Sequence, residues 1–233
     1  MSDGGLAARV GGAVGAFDRD QWNALAGTDN PFVSYEFLTA LEDSGSVGAG
    51  TGWQPAPLVI SEDDGPLLAA MPAYLKGHSQ GEYVFDHNWA DAYERAGGNY
   101  YPKLQIAAPF TPATGPRLLL SDDAFAPPLL AAAEQLCFQN RFSGAHATFI
   151  EPAQQPLFEA AGWMLRADIQ FHWHNHGFAS FDEFLEALAS RKRKDLRKER
   201  AAAQAEVEIR RLSGDDIRSE HWDAFWQFYQ DTG

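Results

Sequence analysis

The chain has 233 residues, 45% hydrophobic and 13% aromatic, enough for one large core or two smaller ones and too apolar for global disorder. Its formal charge of −14 argues against a general nucleic-acid or anionic-membrane binder. The single cysteine, Cys137, excludes an internal disulfide and a multi-cysteine zinc site, and it suits a reducing, cytoplasmic compartment.

The start, Met1-Ser-Asp-Gly-Gly, has no basic or apolar stretch, so no signal peptide is expected. No run approaches the roughly 18 apolar residues of a membrane span, so no membrane insertion is expected. Residues 8–10 read as a short strand and 18–26 as a helix with Trp22 and Leu25 on one face. Asn30-Pro31 opens a second helix to about Glu42, with Phe32, Tyr35, Leu38 and Leu41 at helical spacing. A glycine-rich loop covers 44–52. Apolar runs at 57–60 and 67–74, separated by Glu-Asp-Asp-Gly, form a hairpin signature.

Residues 83–86 are a candidate strand, 89–95 a short helix, 103–107 a strand, and 109–116 a proline-shaped loop. A helix at 127–142 ends at Ser143-Gly144, a strand follows at 147–150, then a helix at 156–161 and a long strand at 165–173. Ser180 with Glu183 makes a capping box for a helix to about Gln204. A strand at 207–212 and an amphipathic helix at 219–229 complete the order, which predicts an α+β (α/β mixed-sheet) fold on one mixed sheet. The elements after Gly177 are too few for a domain and read as the start of a larger one.

Three stretches invite chemistry. From Phe85 to Lys103, and on through Pro109 to Arg117, aromatics, prolines and polar heads crowd an irregular segment. Such a segment suits a pocket wall, with Asp86, His87 and Lys103 as polar contacts and Trp89, Tyr93, Tyr100 and Tyr101 as flat surfaces. His172, His174 and His176 alternate and would share one face of a strand, but a metal site needs a further ligand, and a solvated strand end is the preferred reading. Residues 191–200 hold seven Lys/Arg against two Asp/Glu, and Arg193 and Arg197 fall near one side of a helix that could contact an anion. There is no nucleotide P-loop and no G-x-S-x-G elbow, and Cys137 lies among Leu136 and Phe138 as a packing residue.

Asp86-His-Asn-Trp-Ala-Asp-Ala-Tyr, Tyr100-Tyr-Pro-Lys-Leu-Gln and Pro109-Phe-Thr-Pro-Ala-Thr-Gly-Pro-Arg resemble the bacterial FemAB-like proteins. So do Asn30-Pro-Phe, Gln170-Phe-His-Trp, Phe181-Asp-Glu-Phe-Leu and Ser190-Arg-Lys-Arg-Lys-Asp-Leu-Arg-Lys-Glu-Arg. That resemblance implies tandem GNAT-like domains, the first at 1–177 and the second beginning at 178 and continuing beyond 233. It implies acyl transfer to an amine, on a small molecule or a peptidoglycan precursor, with acyl-CoA (acetyl-CoA) or aminoacyl-tRNA as donor. A non-catalytic module for peptidoglycan fragments is the rival. Residue type and position suggest His87 as general base with His172 as second choice, and Lys103 and Arg117 as anion contacts. Trp89 and Tyr101 would be pocket walls, and Thr111 and Trp173 further substrate contacts. The loop from Thr111 to Arg117 lies where a donor-phosphate loop would, but its prolines lack the N–H groups such a loop needs, so the first domain is expected to bind acceptor.

Overall fold

The computed structural model describes residues 6–62 and 65–232. The first five residues, Asp63, Asp64 and Gly233 lie outside them, and so do the expectation made for the N-terminus and the middle of the Glu-Asp-Asp-Gly stretch. The chain divides into two compact units, Met1–Ala167 and Asp168–Gly233.

The first unit is mixed α+β, with two four-stranded sheets where one was expected. Strands β1 (Leu6–Val10), β3 (Leu58–Glu62), β4 (Leu67–Met71) and β7 (Leu119–Leu120) form an antiparallel sheet in the order β1-β3-β4-β7. The second sheet is ordered β2 (Trp53–Pro55), β5 (Ala73–Lys76), β6 (Lys103–Ile106) and β8 (Ala145–Ala147), with β6 and β8 parallel. The run at 67–74, read from sequence as one strand, is divided at Pro72 between the two sheets. Proline has no N–H for a ladder, and here its carbonyl accepts from Ala107 N at 3.1 Å.

Alternation along the strands sorts the core. Leu58, Ile60, Ala69 and Met71 of the first sheet, with Ala73, Leu104 and Ile106 of the second, pack on Leu129, Leu130, Ala133 and Cys137 of helix α4 (Ala126–Asn140). Val59 and Ala70 face the other way, onto Trp22 and Leu38. These two belong to α1 (Arg19–Ala26) and α2 (Tyr35–Asp43). Asp18 caps α1 by accepting from Gln21 N. The second helix expected from Asn30 is instead a 3-10 turn, Pro31–Val33, followed by a fresh start at Ser34, whose extended backbone and Oγ cap α2.

Helix α3 (His87–Arg95) follows a loop at 83–86, where a strand was expected; Tyr83 has φ 56, which no strand residue adopts. Helix α4 stops before the expected Ser143-Gly144, because Arg141 turns left-handed at φ 57 and ψ 37. The strand expected at 147–150 lies earlier, as β8, and Ile150 keeps only an isolated bridge to Gly115. Helix α5 (Gln155–Ala160) ends near Gly162, whose φ is 83.

The second unit holds α6 (Phe181–Glu186), α7 (Ser190–Gln204) and α8 (Ser219–Asp231), and no strand among the described residues. The strands expected at 165–173 and 207–212 make no ladder, and an extended segment without a pairing partner has nothing to satisfy its backbone as a strand. Ser180 does cap a helix, accepting from Glu183 N at 3.2 Å while the Glu183 carboxylate accepts from Ala179 N at 2.8 Å. The single helix expected to reach Gln204 breaks at 187–189, where Ala189 is extended (ψ 142). Among the described residues no helix is long and apolar enough to cross a membrane.

Candidate functional site

The second sheet has one apolar and one polar face. Leu104 and Ile106 point to α4, so by strand alternation Lys103 and Gln105 point away from it. Lys76 is the cross-strand partner of Lys103, Tyr74 of Gln105 on β5, and His146 of Gln105 on β8. Two lysines directly opposite each other repel, and this pair is buried at 0% exposure for both residues. The fold therefore brings counter-charges from the segment 77–86, which has no helix or strand.

Lys103 Nζ donates to Asp86 Oδ2 at 2.6 Å, Glu82 Oε2 at 2.8 Å and Ser79 Oγ at 3.0 Å, which uses all three of its protons. The Tyr100 hydroxyl donates to the same Asp86 oxygen at 2.8 Å, and Ser79 Oγ and the Tyr101 hydroxyl are 2.8 Å apart. Lys76 Nζ donates to the Gln80 carbonyl at 3.1 Å, lies 3.5 Å above the Trp53 ring, and is 4.0 Å from Glu82 Oε1.

Burial decides the protonation equilibria. It drives the Lys76 amine down to about 7, with Lys103 pushing the same way and Glu82 and Asp86 opposing. It raises the Glu82 carboxyl against the pull of Lys103. Burial alone would raise Asp86 too, but the bonds from Lys103, Ser79 and Tyr100 outweigh it and hold this carboxyl below the usual range. Burial, then the bond to Asp86, raises the Tyr100 phenol. His146, whose ring meets that of Tyr100 at 5.9 Å, is brought down to about 4 by burial and then by the charge of Lys103, so it is neutral above that pH. Four buried polar atoms, Glu82 Oε1, Asp86 Oδ1, Gln105 Oε1 and the Tyr74 hydroxyl, have no hydrogen-bond partner among the described residues.

Of the residues singled out from sequence, Asp86, Tyr100, Tyr101 and Lys103 meet in this cluster. His87 begins α3 next to Asp86 with its side chain exposed, and Trp89 and Tyr93 are exposed on the same helix, Tyr93 touching Tyr100 at 6.1 Å between ring centres. Thr111 Oγ1 donates to the Pro109 carbonyl at 3.0 Å inside its own loop. Arg117 is buried and its guanidinium holds main-chain carbonyls, Nε to Thr148 at 2.7 Å, Nη2 to Ala113 at 2.8 Å and Nη1 to Pro116 at 3.1 Å. Expected as an anion contact, it ties the 109–117 loop to the chain after β8.

The remaining residues lie in the second unit. The His172 ring stacks on His174 at 6.2 Å and its Nε2 is 2.7 Å from Gln170 Oε1. Trp173 lines a groove of 470 Å³ with Phe178, Phe181 and Phe184. Arg193 is half-buried on α7, and Arg197 is exposed, 3.6 Å from Asp182.

Sequence reasoning missed Lys76, Ser79, Glu82, Gln105 and His146. Lys76 and Lys103 did carry a signal: each interrupts an apolar strand, in Ala73-Tyr-Leu-Lys and Lys103-Leu-Gln-Ile, and a charge at a core position demands a partner. Ser79 and Glu82 carried none, because they occupy irregular backbone without periodicity.

No curated protein sequence matches the chain. Among solved structures, AAC(6')-Iy in complex with the bisubstrate analogue CoA-S-monomethyl-acetylneamine is similar with a TM-score of 0.42 and 12% identity, over 73% of this chain and 99% of that one. The profile of the FemAB-like family, described as peptidoglycan biosynthesis/recognition, matches residues 13–233. Spanning both units and every residue of the buried cluster, that match establishes that the chain belongs to the FemAB-like family.

Proposed function

We propose that this chain takes part in acyl or aminoacyl transfer onto an amine acceptor of the peptidoglycan-precursor class. The supporting observation is the buried cluster of Lys76, Glu82, Asp86, Tyr100, Lys103 and Gln105, in which one oxygen each of Glu82, Asp86 and Gln105 accepts no hydrogen bond, in a chain of the FemAB-like family. Amide formation requires an amine to be gripped, relieved of a proton, and brought to an acyl carbonyl whose developing oxyanion is stabilised. Acceptor-rich, desolvated surroundings suit the first task. His87, exposed beside Asp86, is our candidate for the second, with His172 as alternate. Acyl-CoA is the donor we favour, which would place the reaction in the cytoplasm.

A second reading is recognition without turnover. Both lysines are sealed, and every proton of Lys103 is already spent on the protein.

One assay separates them. The full-length protein is incubated with acetyl-CoA and a panel of amines that includes peptidoglycan stem peptides, and released thiol is measured. Parallel reactions use aminoacyl-tRNA and follow amide formation. Transfer from either donor is the expected result, and His87→Ala should lower its rate by about 10²-fold or more if this imidazole is the base. Tight stem-peptide binding with no transfer from either donor would establish the recognition reading instead.

A further inference from the structure

We propose that the groove between α6 and α7 is a binding site for a phosphate monoester that carries an apolar ring. This goes beyond the transfer reading and does not depend on it. The groove has a volume of 310 Å³ and is lined by Phe181, Asp182 and Leu185 from α6 and by Arg197, Arg200 and Ala201 from α7. On α7 these positions recur at the three- and four-residue steps that share one helix face, and the break at Ala189 separates the two helices that meet here. Leu185 is buried and Phe181 exposed, so the groove offers apolar surface that a ligand can reach.

Charge decides what the groove takes. Two guanidiniums face one carboxylate, so the lining is positive. Arg197 lies 3.6 Å from Asp182, beyond hydrogen-bond length, and Arg200 lies 4.4 Å over the Phe181 ring, which holds its cation against the apolar surface. Arg193, Arg197 and Arg200 follow one another at steps where like charges repel, and Arg193 makes no ion pair among the described residues. An anion against this side of α7 relieves that repulsion. A carboxylate fills one guanidinium fork, whereas a phosphate monoester has three charged oxygens for two. Apolar surface beside the forks then suits a ring on the phosphate.

The probe is phenyl phosphate, titrated calorimetrically into the full-length protein against inorganic phosphate, phenol and benzoate at matched ionic strength. Phenyl phosphate should bind about tenfold more tightly than inorganic phosphate, which lacks the ring, and than phenol, which lacks the charge. Benzoate should be weaker by about fivefold. Arg197→Gln and Arg200→Gln should each weaken phenyl phosphate about tenfold, and Asp182→Asn, which removes the groove's own anion, should tighten it about twofold. Lys192→Gln takes the same charge from the far side of α7 and should change affinity less than about twofold. All four positions are exposed, so the fold should survive each change, and the ligand series on the unaltered chain decides the matter if it does not. Equal losses in Lys192→Gln and Arg200→Gln overturn the site, because the helix would then act only as a diffuse positive charge. Phenyl phosphate binding no better than benzoate, phenol or inorganic phosphate overturns it as well. None of these outcomes bears on transfer, which is followed separately by thiol release or amide formation.

Discussion

The two faces of the second sheet are built by alternate residues of the same short strands, yet they obey opposite rules. On the α4 side, Leu104 and Ile106 bury apolar surface and need nothing more than a partner of the right shape. On the other side, Lys103 and Gln105 are as deeply buried and depend on particular atoms of Ser79, Glu82, Asp86 and Thr148. One face can be read as stability. The other spends stability on holding charges in fixed places, which is what a site requires.

The sharpest way to break this contrast is Lys103→Ala. It leaves the buried Glu82 and Asp86 without the lysine they share, with only Lys76, 4.0 Å from Glu82 Oε1, beside them, and about 3–5 kcal/mol of folding stability should be lost in urea denaturation. A loss under about 1 kcal/mol would mean that water reaches the cluster freely and that the polar face behaves as surface. Next comes Leu104→Ala on the apolar face, expected to cost about 2–5 kcal/mol through lost transfer energy and an unfilled cavity against α4.

The pH dependence of stability offers a gentler probe. With the folded Lys76 amine near 7 and an unfolded lysine near 10.4, the unfolded chain holds a proton across that window that the folded chain lacks. Stability from this group therefore rises as pH increases from about 7 to about 10, and below about 7 the group adds no slope. Lys76→Met should remove the rise, seen as the difference between wild-type and variant denaturation curves taken across that range. The raised Glu82 carboxyl acts oppositely, and stability from it falls as pH climbs from its ordinary value toward the folded one.

How much of this was readable beforehand follows from the same contrast. The apolar face was legible because it repeats: the strand at 103–107 and the helix beginning near Pro127 were found within a few residues of β6 and α4. On the polar face, the cluster of Asp86, Tyr100, Tyr101 and Lys103 stood out by composition, but Ser79 and Glu82 reach it from backbone with no repeating pattern. The breaks at Ser34, Pro72 and Ala189 show a second limit. Periodicity continues across a break, and only the local turn chemistry (a capping hydroxyl at Ser34, a missing N–H at Pro72) stops the element. At Ala189 even that signal is absent. The strands expected at 165–173 and 207–212 failed for another reason: strand propensity describes one segment, whereas a strand exists only with a neighbour.

The smallest expected effect is the most discriminating, because it lies one residue from the Leu104 test. Gln105→Leu keeps nearly the same volume on the opposite face. It deletes an acceptor that has no partner, which favours folding, and one hydrogen bond to Thr148 Oγ1, which opposes it. Thr148 is only half-buried, so its hydroxyl can turn to solvent. The two terms should nearly cancel, and the net change should stay within about 1 kcal/mol in the same urea experiment. Neighbouring residues of equal burial would then differ severalfold in their weight on stability. A loss above about 2 kcal/mol would mean that Gln105 is a structural post whose carbonyl is satisfied by enclosed water, and the two faces would then follow one rule.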